Sequence, residues 1–443
     1  MNVAVTTEHR FQRTPDGTIW TEGINSHDFW ARYLSVFDQV KVVARVRDVE
    51  SMPPACRPAS GPGVVFVPVP NYVGPWQYLA KAPLVRRALR GAVGRLDAVI
   101  MRVSSHLAGC LEPLLAETGH PFGLEVVNDP FDVFAPRAVR YKMRPLFRWW
   151  FTRQLRRQCC SAMGVAYVTE WTLQNRYPCA AYSTGLSDVE IAQDTILETP
   201  AVFTTHYSSV ELAKEDSVES HREIPGRSRQ YRLLTVASLA QMYKAPDVLI
   251  RAVAVCAGNG LNLRLRIVGD GKHRRELEGL AAHLQLNNRI EFLGQLPAGA
   301  AVREQLDRSD LFVLASRCEG LPRAMVEAMA RSLPCIGSTV GGIPELLPPE
   351  DLVPPGDPVS LAAKISEVLS CPARMATMSA RNLAKAQEYR DDILAERRRA
   401  FFTHVRQATA SWLDRSAPTG PDNISDGENP GKCGVPLYPA LSS

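Results

Sequence analysis

The sequence lacks the features that mark membrane-spanning, exported and disulfide-rich proteins. No run of about 18 apolar residues could cross a bilayer as a helix, and the first residues, MNVAVTTEHR, do not have the form of a signal peptide. The ten cysteines form no CxxC pair and no cluster with histidine at metal-ligand spacing. We therefore expect a cytoplasmic protein with reduced cysteines, no disulfide and no metal.

The motifs of common hydrolases and of dinucleotide-binding enzymes are also missing. There is no GxSxG elbow and no obvious Ser/His/Asp set, and the Gly269-Asp270-Gly271 turn lacks the GxGxxG spacing. Hydrolase and metal-assisted chemistry are therefore disfavoured. What the chain does have is 443 residues, 45% of them hydrophobic, which is enough for two cores of roughly 200 residues each.

Two parts of the chain alternate short apolar runs with amphipathic stretches, a pattern that predicts parallel sheets with crossover helices. Between them the chain turns polar and loses periodicity, and its last thirty residues contain five Pro and four Gly. We predict two Rossmann-like, doubly wound α/β domains that face each other across a cleft. The predicted division is an N-terminal domain over 1–210, a linker over 211–230, a second domain over 231–388, a helix over 389–413 that could cross back to the first domain, and a disordered tail over 414–443.

One stretch, Ser316 to Cys335 (SRCEGLPRAMVEAMARSLPC), follows an apolar strand and carries two acids eight residues apart, Glu319 and Glu327. Proline at the start of the following helix, with the unpaired N–H groups there, suits a phosphate. Two carboxylates at this spacing could bracket a diphosphate between a sugar and a ribose, since carboxylates accept hydrogen bonds from hydroxyls. The alternative is that Glu319 is a solvated loop acid and Glu327 a helix surface residue.

This stretch closely resembles the signature of glycosyltransferase family 4, the retaining GT-B enzymes among the glycosyl transferases group 1. The resemblance rests on Glu-Gly-Leu-Pro with a second Glu after seven residues, followed by SLPCIGSTVGGIPELL. It extends over roughly residues 232 to 370. Three further stretches match: VASLAQMYKAPDVLIRAV (Val236–Val253), LRIVGDGKHRREL (Leu265–Leu277) and RIEFLGQL (Arg289–Leu296).

The resemblance implies a GT-B fold and a retaining, hexosyltransferase-type reaction. The donor would be a UDP-, GDP- or ADP-sugar, and the acceptor a hydroxyl of a saccharide, free or lipid-linked, in surface or exopolysaccharide biosynthesis. No metal and no cofactor would be needed, because the nucleotide-sugar is a co-substrate. Two alternatives stay open: a catalytically decayed nucleotide-sugar-binding protein, or a sugar-phosphate synthase or phosphorylase on the same fold.

The resemblance also assigns residues in the second domain. Glu319 would act at the reacting face of the donor sugar, Lys244 would contact the diphosphate as a second catalytic residue, and Glu327 would hold the ribose hydroxyls. Gly320 and Leu321 would offer loop amides to the donor. Gly269 and Gly271 would lie beside the nucleotide, although a tight strand-to-helix turn also accounts for them.

The chain departs from the family at two places. The family usually has an arginine where Ser238 stands, so one of the two cations facing the leaving diphosphate is missing and Arg323 could substitute for it. The family often carries a histidine near Asn128 and Asp129, which we take as candidate catalytic residues on the acceptor side. Their alternative is an Asx turn before Pro130.

The basic charge is concentrated in the N-terminal half. Residues 137–157 carry eight basic and no acidic side chains, and the aromatic run Arg144–Gln158 lies among them. Such a helix could lie on an anionic membrane, so we predict peripheral association with the inner face of the plasma membrane. The alternative is that the tryptophans pack in the core, and nucleic acid is disfavoured because no binding motif is present. The residues assigned to this interface are Arg148, Trp149, Trp150, Arg153, Arg156 and Arg157.

Overall fold

The computed structural model describes residues 1–23, 25–52, 56–135, 143–201 and 230–416. These residues form two sheets, each covered by helices on both faces. Because crossover helices bury both faces of a parallel sheet, its central strands are continuous apolar runs, as in LFVL at residues 311–314.

The first sheet has nine strands, and its parallel part runs in the order β5-β3-β1-β6-β7-β8-β9. Strand β2 pairs antiparallel to the far end of β1, and β4 pairs antiparallel to β2. The strands are β1 (Val3–Arg13), β2 (Ile19–Thr21), β3 (Val40–Asp48), β4 (Arg57–Pro58), β5 (Val64–Pro70), β6 (Ala98–Val103), β7 (Gly123–Val126), β8 (Gly164–Tyr167) and β9 (Tyr182–Gly185). The helices between them are α1 (His27–Ala31), α2 (Gly74–Arg90), α3 (His106–Thr118), α4 (Pro130–Val133), α5 (Arg144–Ser161) and α6 (Thr172–Arg176).

The second sheet has six parallel strands in the order β12-β11-β10-β13-β14-β15, the doubly wound order in which the first strand lies in the middle. Its strands are β10 (Tyr231–Val236), β11 (Leu263–Val268), β12 (Ile290–Gly294), β13 (Leu311–Leu314), β14 (Cys335–Ser338) and β15 (Leu352–Val353). Its helices, and the final helix of the described chain, are α7 (Pro246–Gly258), α8 (Arg274–His283), α9 (Ala300–Asp307), α10 (Arg323–Ala330), α11 (Ile343–Leu346), α12 (Pro358–Leu369), α13 (Pro372–Ala386) and α14 (Asp391–Arg415).

Within the described residues, the chain crosses between the two domains twice. After β9 it reaches the second domain by Leu197, whose N–H donates to the Ala330 carbonyl at 3.0 Å, and the Ala201 N–H donates to Ser332 Oγ at 3.0 Å. This crossing lies ahead of the boundary predicted at residue 210. The predicted linker lies outside the described residues except for Gln230, as does the predicted tail after Ser416.

The return crossing is made by α14, which packs against β6, β8 and β9 of the first sheet. Phe401, Phe402 and Val405 are fully buried there, in one cluster with Val3 and Val5. The C-terminal helix therefore completes the hydrophobic core of the first domain.

Candidate functional site

The second sheet has its topological switch point between β10 and β13, since strand order runs outward in opposite directions from these two neighbours. Loops at the carboxyl ends of such strands diverge and leave a crevice where ligands bind in open α/β sheets. The loop after β10 carries Lys244, and the loop after β13 carries Glu319. The fold thus brings these two predicted residues to the crevice.

Lys244 and Glu319 form an ion pair in the crevice. The ammonium group lies 2.7 Å from each carboxylate oxygen, and Ser316 Oγ donates to Glu319 Oε1 at 2.5 Å. Only 4% of the Glu319 side chain is exposed, against 19% for Lys244. The alternative that Glu319 is a solvated loop acid is therefore wrong. A carboxylate held this way has one fixed orientation.

Arg317 fixes the loop that presents Lys244, a role the sequence did not reveal. Its guanidinium donates to both carboxylate oxygens of Asp247, at 2.9 and 2.7 Å, and to the Met242 carbonyl at 2.9 Å. Its backbone N–H donates to the Tyr243 carbonyl at 2.6 Å. The loops that carry Lys244 and Glu319 are therefore joined by backbone and side-chain bonds on either side of the ion pair.

Glu327 lies on α10, half-buried, and its side chain makes no hydrogen bond or ion pair to any residue in the described part of the chain. Burial raises the pKa of Glu327, and the charges of Arg323 and Arg303 oppose that rise only in part. A desolvated carboxylate without a protein partner retains its full capacity to accept hydrogen bonds, which is what a ligand hydroxyl requires.

The loop after β11 needs its two glycines because the backbone of the loop after β10 passes too close to them for a side chain. A methyl group on Gly269 would lie 1.9 Å from the Ala237 carbonyl oxygen, and one on Gly271 would lie 2.1 Å from the Ala240 nitrogen. Ser238 lies between these contacts, exposed, and its Oγ accepts from the Ala240 N–H at 3.3 Å. The two predicted glycines and Ser238 therefore belong to one pair of interlocked loops beside Lys244.

The Glu319 loop touches the first domain. A methyl group on Gly320 would lie 3.3 Å from the Val127 carbonyl oxygen and 3.7 Å from Val168 Cγ2, at the carboxyl ends of β7 and β8. The Gly342 N–H donates to the Gly320 carbonyl at 2.7 Å, and Leu321 follows it, partly buried. The crevice is therefore closed on its far side by the first domain.

Asn128 and Asp129 lie at this contact, but both are engaged by protein groups. Asn128 Oδ1 accepts from the Ser104 backbone N–H at 3.1 Å. Asp129 is 2% exposed, caps α4 by accepting from the Phe131 N–H at 2.8 Å, and also binds Arg176 and the Tyr177 hydroxyl. The bond from the Phe131 N–H to Asp129 is the Asx-type contact given as the alternative. A catalytic role for Asp129 stays a prediction.

The buried thiol of Cys318 shows how close the acidic groups of the two domains lie. Burial raises the pKa of Cys318 to about 12, and the carboxylates of Asp132, Glu319 and Asp129 add to the rise. Because Asp129 and Asp132 belong to the first domain and Glu319 to the second, acids from both domains act on one buried group.

Two further contacts join the domains. The Glu345 carboxylate accepts from the backbone N–H groups of Glu170, Trp171 and Thr172 at 2.5, 3.2 and 2.7 Å, at the start of α6. Arg323, predicted as a substitute phosphate ligand, is exposed and donates to the Asp188 carbonyl at 2.9 Å. Glu345 was not singled out in the sequence, because its partners lie about 175 residues away.

Helix α5 exposes the aromatic residues assigned to a membrane interface. Trp149 and Trp150 are each 58% exposed, so the alternative that they pack in the core is wrong. Arg153, Arg156 and Arg157 are also exposed. Arg156 Nε donates to the Arg176 carbonyl at 3.2 Å, Arg157 pairs with Glu112 at 3.0 Å, and Arg148 lies over the Phe131 ring at 3.5 Å. Three of the four arginines are therefore partly engaged by the protein itself.

Helix α2 exposes a second apolar set that the sequence did not reveal. Trp76 is 82% exposed, Leu79 60% and Leu84 56%. Their helical spacing places them on the face opposite the buried Val85 and Leu89. In the described residues no helix is long and apolar enough to cross a membrane, and no three His, Cys, Asp or Glu residues form a group that could hold a metal ion.

Comparison with known proteins gives one family match. Residues 217–386 match the model of the family described as glycosyl transferases group 1. Protein CapJ of Staphylococcus aureus is 25% identical over 77% of this chain and 80% of its own length. A putative colanic acid biosynthesis glycosyltransferase, WcaL of Salmonella typhimurium, is 34% identical over 33% of this chain and 38% of its own length.

Solved structures share the fold. The structure of Anabaena HepE in complex with UDP and glucose superimposes with a TM-score of 0.57 and 15% sequence identity, covering 93% of this chain and 99% of that one. This likeness over nearly the whole length confirms the predicted arrangement of two Rossmann-like domains. At this identity it is evidence of the fold alone.

Proposed function

We propose, from the match of residues 217–386 to the glycosyl transferases group 1, that this chain is a retaining glycosyltransferase of the hexosyl type. It moves a sugar from a nucleotide-sugar donor to a hydroxyl of a saccharide acceptor. The observation that carries the proposal is the Lys244–Glu319 pair, fixed at the switch point of the second sheet and facing the carboxyl ends of the first. We assign the reaction to surface or exopolysaccharide assembly, the setting named for WcaL.

The chemistry follows from which groups the crevice holds. The bond from the sugar C1 to the donor diphosphate breaks, the bond from C1 to the acceptor oxygen forms on the same face, and the acceptor proton passes to the departing phosphate oxygen. The protein positions the reactants and stabilises charge. In this proposal Glu319 acts at the sugar, Lys244 binds the diphosphate and Glu327 binds the ribose, with loop amides of Gly320 and Leu321 contacting the donor.

The donor panel that tests the proposal consists of UDP-, GDP- and ADP-glucose, offered with saccharide acceptors, with release of nucleoside diphosphate as the measurement. The UDP-sugar is the first donor to test, since UDP is the nucleotide in the HepE structure. Retention of the anomeric configuration is measured by NMR of the product. Binding of a donor without turnover across acceptors supports the decayed alternative. Transfer of the sugar only to a sugar-phosphate acceptor supports the synthase alternative. Release of a sugar phosphate from a saccharide by inorganic phosphate supports the phosphorylase alternative.

Changing Glu327 to glutamine should have opposite effects on stability and donor use. Burial raises the pKa of Glu327, so the folded state is most favoured at low pH and loses stability as the pH rises through that pKa. A glutamine side chain does not ionise, so Glu327→Gln removes this loss and the free energy of unfolding at pH 7.5 should rise. The KM for donor should rise about 10-fold or more, since a bond to a charged acceptor is worth about 1.5–3 kcal/mol.

Urea unfolding at pH 7.5 and pH 5 measures the first effect, and donor kinetics the second. The stability gain should shrink at the lower pH. Glu304→Gln, which changes an exposed acid on α9, is the matched control. An unchanged KM for donor in Glu327→Gln would contradict the ribose assignment.

We further propose that the acceptor is lipid-linked and that α2 and α5 hold the protein on an anionic membrane surface. The two helices flank α3: the Tyr78 hydroxyl lies 3.4 Å from Cys110 Sγ, and Arg157 binds Glu112. Helix α2 follows β5, and α5 follows β7 by way of α4. The exposed tryptophans lie in the first half of each helix, the half nearer the carboxyl ends of these strands. Rings at headgroup depth and arginines on anionic lipid would bring the crevice to its substrate.

Removing two unpaired cations from this surface should weaken vesicle binding. Arg87 on α2 and Arg153 on α5 are exposed and make no hydrogen bond or ion pair to a described residue. At about 1 kcal/mol per cation, Arg87→Gln with Arg153→Gln should reduce binding to phosphatidylglycerol vesicles about 30-fold at low salt.

Co-sedimentation measures this prediction, with Arg251→Gln plus Arg275→Gln as a control that removes the same charge from the second domain. Both control residues are exposed. Equal losses in the two double variants would indicate a nonspecific charge effect. Failure of the wild-type protein to sediment with the vesicles would contradict membrane association and leave a soluble saccharide as acceptor.

A further inference from the structure

The crevice has a shortage of positive charge for a ligand with two phosphates. Lys244 contacts both oxygens of Glu319, so this ion pair has no net charge. A nucleoside diphosphate carries at least two negative charges that a low-dielectric crevice cannot accept without cations. Ser238, in the neighbouring loop, supplies only a neutral hydroxyl.

The arginines around the crevice are largely committed to protein groups. Arg317 makes a bidentate pair with Asp247, and Arg274 binds both Asp270 and Glu278 at 3.0 and 2.8 Å. Arg323 donates to the Asp188 carbonyl of the first domain. Lys272 differs from these three: it is exposed and makes no hydrogen bond or ion pair to any residue that the structure describes.

The backbone of Lys272 is held against the loop that precedes Lys244. The Leu239 N–H donates to the Asp270 carbonyl at 2.9 Å, and the His273 N–H donates to the Leu239 carbonyl at 3.1 Å. Gly271 lies directly against the Ala240 backbone. Lys272 is therefore anchored on both sides, one strand over from Lys244, because β11 is the neighbour of β10.

We propose that Lys272 is a donor-binding residue that supplies the second cation for the diphosphate, in place of a cation at Ser238. This inference rests on the proposed function and names a residue of that same site. The flexible four-carbon stem lets an ammonium group at the loop reach a phosphate oxygen once the donor is bound. The start of α8, two residues further along, adds the partial positive charge of a helix N-terminus.

Calorimetry with UDP, GDP and ADP tests the proposal on the full chain. For the nucleotide that binds the wild-type protein, Lys272→Met should raise Kd about 10-fold, whereas Lys272→Arg should keep it within about 3-fold, as expected for loss or retention of one charge-assisted bond. Binding of the corresponding monophosphate should change less than binding of the diphosphate. Adding Ser238→Arg to Lys272→Met should restore much of the lost affinity, because the cation returns from the adjacent loop.

Arg275→Met is the matched control, since Arg275 is also exposed and lies three residues further along. Its affinity for the nucleotide should equal that of the wild type. If Lys272→Met binds the diphosphate as tightly as the wild type, or if the control loses as much, Lys272 is not a diphosphate ligand. If the wild-type protein binds none of the three nucleotides, the proposed function itself is contradicted.

Discussion

Glu319→Gln is expected to lower kcat about 100- to 1,000-fold, the loss typical of removing one group aimed at charge in a transition state. Ser316 Oγ and Lys244 hold this carboxylate in one orientation in a nearly dry site. The glutamine side chain keeps the shape and an acceptor oxygen but removes the charge. The KM for donor should change much less, because Glu319 is assigned to the reacting sugar and not to the nucleotide.

Steady-state kinetics with the preferred donor measure this effect, and calorimetry with UDP shows whether the nucleotide site survives. Glu304→Gln serves as the control for loss of a carboxylate elsewhere in the same domain. A Glu319→Gln variant with near wild-type kcat would remove Glu319 from the catalytic site. A variant with unchanged kcat and a raised KM would move it to nucleotide binding.

Lys244→Met should damage both stability and donor binding, for separable reasons. The buried Glu319 carboxylate would keep only Ser316 as a partner, which should lower the free energy of unfolding by about 1–3 kcal/mol; fully buried pairs lose more. The Kd for UDP should rise about 10- to 100-fold through loss of a charge-assisted bond.

The double variant Lys244→Met with Glu319→Gln separates the two effects. Without a buried charge, the stability measured by urea unfolding should return most of the way to wild type. Nucleotide affinity measured by calorimetry should stay low. If affinity recovered together with stability, Lys244 would have a structural role and no contact with phosphate.

The sequence predicted the architecture well because periodicity is a local property. The runs 98–102 and 311–314 became buried parallel strands, and the proline of the Glu-Gly-Leu-Pro motif marked the start of α10 correctly. The motif identified the loops around Lys244 and Glu319. It could not show that the two side chains bind each other, since they lie 75 residues apart.

Long-range partners also explain what was missed. The role of Arg317 depends on Asp247 and Met242, and that of Glu345 depends on backbone groups near Thr172. Pattern alone could not distinguish an exposed tryptophan on α2 from a buried one, because exposure depends on how α2 lies on α3. The sequence pattern could not show that the chain reaches the second domain soon after β9, for the same reason. That contact is a hydrogen bond from Leu197 to Ala330, on a distant helix of the second domain.

The burial of α14 in the first domain affects how the protein is made. On a ribosome the strands of the first sheet emerge early, but the helix that covers one face arrives only after residues 186–390 have been translated. At about 5–20 residues per second this interval lasts roughly 10–40 s, during which Val3, Val5 and their neighbours lack their final cover. We therefore expect the nascent first domain to stay loosely packed until its last helix is released.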